Sequence, residues 1–154
     1  MSTASNRWHV GLVGYGEVGR ILAEDLRKEG VRVSAYDIKL DGAQARPLQD
    51  HAGRIGVTLA ASHADLAAEA DFIVSAVTAS QAVAVARACA GSVKEGVWFL
   101  DFNSASPGAK QRAAAVIDGA GGRYVEGAVM TSVTRRVFSK CSIRRRRCGR
   151  AANY

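Results

Sequence analysis

The sequence predicts an α/β domain built on a doubly wound parallel sheet with helices on both faces. Three observations carry the prediction. Residues 8–126 alternate between short apolar runs and segments of helical spacing, joined by short connections. A glycine cluster, Gly14 to Gly19, separates the first apolar run from the first amphipathic segment. An aspartate, Asp37, closes the second apolar run 18 residues after Gly19.

The elements follow in order. Residues 8–13 form an apolar run ending in glycine, which reads as a buried strand. Val18, Ile21, Leu22 and Leu26 then fall at helical spacing, with Glu24, Asp25, Arg27 and Lys28 on the outer face. Gly30 is placed to end that helix. Residues 31–36 read as a second strand, and 41–54 as a loop with a short helix. Residues 57–60 give a third strand, 62–69 an Ala-rich helix, 72–75 a fourth strand and 79–90 another Ala-rich helix. Residues 97–100 form a fifth strand closing on Asp101. Ser106 and Pro107 supply an N-cap and a proline at the first helical position. That helix runs to about residue 120, and residues 123–129 make a sixth strand. The 28 alanines sit mostly in helices, which suits close packing of helix on sheet.

The composition bounds the class. A chain of 154 residues, 48% hydrophobic and 23% charged, is enough for one domain with a single core and excludes wholesale disorder. Apolar runs of about five residues cannot span a bilayer. Residues 1–9 have no apolar signal core, and three scattered cysteines fit a reducing compartment, so a cytoplasmic location is expected. The net charge of +7 is unevenly placed: residues 1–126 hold 13 Lys/Arg against 14 Asp/Glu, and residues 127–154 hold eight basic residues and no acid.

The run Gly14-Tyr15-Gly16-Glu17-Val18-Gly19 matches G-x-G-x-x-G, a weak signal alone. A strand before it, an amphipathic helix after it and Asp37 at the end of the next strand are the confirming conditions for a Rossmann-type dinucleotide fold. Each position has a chemical reason. Gly14 permits the tight turn, Gly16 lets a pyrophosphate approach the backbone, and Gly19 lets the helix lie close to the strand. The helix N-terminus, with Glu17 and Val18 in its first turn, offers free N–H groups and partial positive charge to an anion. Asp37 is placed to accept hydrogen bonds from ribose hydroxyls and to repel a 2′-phosphate. NAD is therefore the expected cofactor, with NADP the alternative because Lys39 lies two residues on.

Other ligand-facing candidates lie at the carboxyl ends of strands. Val77 and Thr78 follow the fourth strand, and Asn103 and Ser104 follow the fifth. Thr78 reads equally as a helix cap, and Ser106 reads as an N-cap rather than a ligand. His9, His51 and His63 share no metal-ligand spacing with one another or with the cysteines, so no metal is expected. Cys89 reads as a small apolar filler. No local catalytic constellation stands out. Asn103, Ser104 and Lys110, the nearest lysine after their loop, are the catalytic candidates; Lys110 could reach the cofactor cleft, but its simplest reading is a solvated helix-face lysine.

These residues carry a resemblance. Gly11-Leu12-Val13-Gly14-Tyr15-Gly16-Glu17-Val18-Gly19-Arg20 followed by Val33-Ser34-Ala35-Tyr36-Asp37 resembles the N-terminal domain of the 6-phosphogluconate dehydrogenase/β-hydroxyacid (3-hydroxyisobutyrate) dehydrogenase superfamily. Ala70-Asp71-Phe72-Ile73-Val74-Ser75-Ala76-Val77-Thr78 is similar to its fourth strand and following loop. Asp101-Phe102-Asn103-Ser104-Ala105-Ser106-Pro107 is similar to its Asp-x-Ser-Thr-x-x-Pro segment, and Tyr124-Val125-Glu126-Gly127-Ala128-Val129-Met130 to the next strand. The similarity covers about residues 8–133. It implies NAD(P)-linked oxidation of a small 3-hydroxy acid, sometimes with decarboxylation, or the reverse reduction. It also implies a helical second domain that supplies a catalytic lysine and the dimer interface. Asn103 stands where the family has a substrate-contacting serine, and Ser104 keeps a hydroxyl beside it. Thr131-Ser132-Val133-Thr134 stands in place of a Gly-Gly loop, and the second helical domain is expected to be missing.

The expected organisation is an NAD(P)-binding Rossmann domain over residues 6–133 and a basic tail over 134–154. The tail, with Arg135-Arg136 and Arg144-Arg145-Arg146-Arg147, has neither helical nor strand period. It reads either as a nucleic-acid-binding arm or as the product of a reading-frame shift near Val133. The loss of every acid at the point where the resemblance breaks favours the second, so nucleic acid is a disfavoured partner. A Cys141/Cys148 metal site ranks third, with only two ligands visible. The expected function is thus a hydroxyacid dehydrogenase cofactor domain without turnover of its own. A non-catalytic NAD-binding or sensing module is the alternative, and a basic-tailed nucleic-acid binder a third. An uncovered sheet edge after Val129 would favour self-association.

Overall fold

The computed structural model describes residues 8–129 and 141–144. Its sheet joins strands β1 (His9–Val13), β2 (Arg32–Tyr36), β3 (Thr58–Leu59), β4 (Phe72–Ser75), β5 (Trp98–Asp101), β6 (Arg123–Val129) and β7 (Cys141–Arg144). Their order is β3-β2-β1-β4-β5-β6-β7, with the first six parallel and β7 antiparallel to β6. Among the described residues five α-helices cross between strands: α1 (Glu17–Lys28), α2 (Ala45–Ile55), α3 (His63–Glu69), α4 (Ala82–Ala90) and α5 (Pro107–Gly119). This is the doubly wound Rossmann-like arrangement expected from the alternating periods.

Two apolar layers explain the stability. Leu12, Val33, Ala35 and Val74 meet Leu22 and Ala23 of α1 and Leu48 and Ala52 of α2 on one face. Val13, Ile73 and Phe99 meet α3, α4 and α5 through Leu66, Ala86, Cys89 and Ile117 on the other. Central strands buried on both faces therefore read as continuous apolar runs rather than alternating ones. Cys89 fills space as expected, and burial pushes its thiol up to about 12.

The helices begin and end where local chemistry directs. Ser106 caps α5 by accepting from the Ala109 N–H at 3.3 Å, with Pro107 in the first turn. Ser62 accepts from Asp65 N–H at 3.1 Å to open α3. Gly30 follows α1 with φ +75, which only glycine adopts without strain.

Two expectations are corrected. Residues 45–55 form a full helix rather than a loop with a short one. Leu48, His51 and Ala52 give it a buried face at i, i+3, i+4 spacing, and Gly56 closes it in the left-handed conformation. The edge expected to be bare after Val129 is paired, with Glu126↔Arg144 through Val129↔Cys141 in register. The tail reading over residues 134–154 otherwise lies outside the described residues. No helix among the described residues is long and apolar enough to cross a membrane.

The register sets where a site can lie. Val13 pairs with both Tyr36 and Ser75, and Ser75 pairs with Asp101, so four strands end level. The chain leaves β1 toward one side of the sheet and β4 toward the other. That switch point opens a crevice beyond the carboxyl ends.

Candidate dinucleotide site

The turn after β1 is held by close backbone approach. Gly14 has φ +93 and donates its N–H to the Tyr36 carbonyl at 2.9 Å. A Cβ on Gly14 would lie 2.1 Å from the Ala76 carbonyl oxygen, and one on Gly19 would lie 2.1 Å from the Gly14 carbonyl oxygen. Both positions exclude any side chain. A Cβ on Gly16 meets nothing within 4 Å. The middle glycine thus faces open space, where a phosphate group can lie against the backbone. No side chain caps the N-terminus of α1, so its first-turn N–H groups and dipole remain available to an anion there.

Asp37 sits one residue beyond β2 and is 9% exposed. Its Oδ2 accepts from the Tyr15 N–H at 2.8 Å and its Oδ1 from the Lys39 N–H at 2.9 Å. The carboxylate is therefore held rigidly beside the glycine turn. Between them opens a cleft of about 440 Å³. Gly14, Gly16, Asp37, Val77 and Thr78 line it. Ile38 and Lys39 form a rim, and Ile38 is 62% exposed. Ala84, Val85 and Ala88 add a wall of small apolar side chains, with the Gln81 amide beside them. The cleft thus brings together an apolar wall, a fixed carboxylate and an uncapped helix N-terminus.

Several cleft residues escape the sequence reading. Gln81, Ala84, Val85 and Ala88 recur at helical spacing, so a small-residue face was visible but indistinguishable from packing. His63 has no sequence signal. Its ring stands edge-on to Tyr36 at 4.6 Å between centroids, and burial lowers its pKa while Asp37 raises it. Burial likewise raises the Tyr36 phenol.

Other predicted residues have structural positions. Tyr15 is fully buried beneath the turn rather than facing the cleft. Glu17 is exposed and Val18 packs against the core. Thr78 stands before a 3₁₀ turn, Ala79–Gln81, but its hydroxyl makes no cap and lies 3.3 Å from Ser80 Oγ. Asn103 is buried: its Oδ1 accepts from Val77 N–H at 2.7 Å and its Nδ2 donates to Ser75 Oγ at 3.0 Å. It ties the loop after β4 to the loop after β5. Ser104 is exposed next to it.

Lys110 is corrected most. It is 3% exposed, not solvated, and its Nζ donates to Asp101 Oδ1 and to the Asp101 carbonyl, each at 3.2 Å. Asp101 also accepts from Tyr124 OH at 2.6 Å and Asn103 N–H at 2.7 Å. The lysine neutralises a buried carboxylate that shapes the Asn103 loop. His9 is packed, as one reading expected, with Nε2 at 2.9 Å from Ser34 Oγ.

Residues 9–134 match the family described as the NAD binding domain of 6-phosphogluconate dehydrogenase. The chain is 26% identical over 135 residues to the mitochondrial 3-hydroxyisobutyrate dehydrogenase of Drosophila melanogaster, covering 86% of this chain and 40% of that protein. Among solved structures, a conserved hypothetical protein from Sinorhizobium meliloti aligns with a TM-score of 0.78 and 33% identity, covering 84% of this chain and 44% of that one. Mycobacterium tuberculosis 3-hydroxyisobutyrate dehydrogenase, solved with L-serine, shares the fold with a TM-score of 0.73 at 19% identity, over 82% and 42% of the two chains. The chain spans less than half the length of each of these relatives.

Proposed function

The chain belongs to the family of NAD binding domains of 6-phosphogluconate dehydrogenase, and from that premise we propose that it is the cofactor-holding half of a β-hydroxyacid dehydrogenase-type oxidoreductase that prefers NAD to NADP. One observation carries the reading: Gly16 opens onto the cleft while Gly14 and Gly19 are closed by backbone, and Asp37 is fixed on the cleft's other side. Gly16 and the α1 N-terminus would hold the pyrophosphate. Asp37 would accept from ribose hydroxyls and disfavour a 2′-phosphate, with Lys39 on the rim reducing that discrimination. The bound dinucleotide supplies hydride transfer, and the protein's part is to orient it and exclude alternatives.

The substrate class is a small 3-hydroxy acid, the reading favoured by the similarity to 3-hydroxyisobutyrate dehydrogenase. Ser104 is the exposed hydroxyl placed to meet such a substrate beyond β5. We assign the dinucleotide-binding unit to residues 6–133 and the basic segment to 134–154. The chain alone binds the dinucleotide without steady turnover, because alcohol oxidation needs a positioned proton acceptor and Lys110 is held by Asp101. This burial of Lys110 equally suits a non-catalytic NAD-binding module, which differs from the dehydrogenase reading in needing no complementing catalytic segment.

Titration of the chain with NAD and NADP, alongside NADH formation with a panel of 3-hydroxy acids, tests the reading. NAD should bind more tightly and no steady turnover should appear. Equal or tighter NADP binding would refute the cofactor assignment. Steady turnover by the unsubstituted chain would refute the reading that it has no proton acceptor of its own.

A further inference from the structure

The glycine turn carries a buried side chain that cofactor binding does not itself require. Tyr15 OH lies 2.7 Å from His51 Nδ1, and His51 Nε2 lies 2.8 Å from Glu24 Oε1. Tyr15 is fully buried and His51 is 8% exposed. The chain of bonds thus runs from the turn, through α2, to the outer side of α1. The Glu24 carboxylate can only accept, so the proton on a neutral His51 sits on Nε2. Nδ1 is then the acceptor and the Tyr15 phenol the donor. Meanwhile the Tyr15 backbone N–H is held by Asp37. One residue of the turn is fastened at both ends, by its backbone to β2 and by its side chain to α2.

We propose that Glu24, His51 and Tyr15 are positioning residues that hold the phosphate-binding turn in its ligand-ready shape, so that dinucleotide affinity depends on the hydrogen bond between Tyr15 and His51. The inference rests on the cofactor reading above. Without the His51 ring, the Tyr15 hydroxyl has no partner at its buried position. That leaves a polar group unsatisfied on the residue that lies between Gly14 and Gly16 in the turn. The charged groups around the chain are Arg20, Glu24 and Lys28 of α1 and Arg54 of α2. Burial pushes the Tyr15 phenol up to about 12, so it stays a donor across the ordinary range. The His51 hydrogen bond holds the Glu24 carboxyl below its usual value, so it stays an acceptor.

The test is calorimetric titration of NAD into the full chain. The proteins are the unsubstituted chain, Tyr15→Phe, His51→Ala and His51→Gln, with thermal melts on the same samples. The amide of His51→Gln can accept from Tyr15 and donate to Glu24. Tyr15→Phe and His51→Ala should bind about tenfold more weakly, the factor expected for one lost buried hydrogen bond. His51→Gln should recover most of the affinity that His51→Ala loses. Folded His51→Gln as weak as His51→Ala would overturn the inference. Folded Tyr15→Phe with undiminished affinity would also overturn it, even if His51→Ala fails to fold. No NAD binding by the unsubstituted chain would instead sink the cofactor reading on which it rests.

Discussion

The backbone N–H of Tyr15 donates to Asp37 Oδ2 at 2.8 Å, which fastens the glycine turn to the end of β2. The same carboxylate accepts from the Lys39 N–H through its other oxygen. Asp37 therefore organises the turn as well as offering charge to a ribose. Loss of the carboxylate should act on both roles.

Asp37→Ala should narrow the affinity gap between NAD and NADP and should lower stability by about 1–3 kcal/mol, the penalty of leaving a buried backbone donor unsatisfied. Parallel titrations and urea denaturation measure the two effects. A narrowed gap with unchanged stability would remove the structural role, and the reverse would remove the discriminating one.

The glycines of the turn should separate by substitution. Gly14→Ala and Gly19→Ala place a Cβ 2.1 Å from a carbonyl oxygen and should destabilise the fold outright. Thermal melting of the two variants reads this directly. Near-native melting of either would contradict the backbone approach described for the turn.

Lys110→Ala should destabilise by about 3–5 kcal/mol, because it strands the charge of Asp101 in a site from which water is excluded. Denaturant unfolding of Lys110→Ala, with Lys110→Ala/Asp101→Asn as the second variant, distinguishes a charge effect from lost packing. The double variant should recover part of the loss. Equal stability of Lys110→Ala and the unsubstituted chain would return the lysine to the solvent-facing reading.

Acid should weaken the fold through two carboxylates. The His51 hydrogen bond depresses Glu24, and the His9 N–H followed by the Lys94 ammonium depresses Asp71, in each case against opposing burial. A depressed folded-state value means that each stabilises above its unfolded pKa and loses that contribution as pH falls through the folded one. Melting temperature should therefore fall as pH drops below about 4, where unfolded carboxylates begin to protonate. Glu24→Gln and Asp71→Asn should each flatten that acid limb, and a limb unchanged in both would exclude these groups as its source.

The fold was legible because its strands and breakers agree. The apolar run at residues 9–13, the φ-positive glycines at 14 and 30, and the Ser106–Pro107 cap each state one local preference that packing then upholds. The helix at residues 45–55 does not stand out because one of its three buried positions is His51, which interrupts the apolar spacing. The pairing of β6 with β7 depends on a contact between distant segments that no local period announces. Within the site, Gly14, Gly16 and Asp37 were readable because a phosphate and a ribose demand specific residue types at fixed spacing. Lys110, His51 and His63 were not, since burial and partners decide their roles. A lysine in the first turn of a helix looks solvent-facing until the turn is seen to fold over Asp101.

The most direct measurement is the NAD affinity of Gly16→Val compared with the unsubstituted chain. A Cβ at Gly16 meets nothing within 4 Å, so modest additions there leave the fold intact, while branched methyl groups occupy the space a pyrophosphate needs. The account predicts a protein that melts like the unsubstituted chain and binds NAD at least tenfold more weakly, on the order of 1.4 kcal/mol. Unchanged NAD affinity in a folded Gly16→Val protein would contradict it and place the dinucleotide elsewhere.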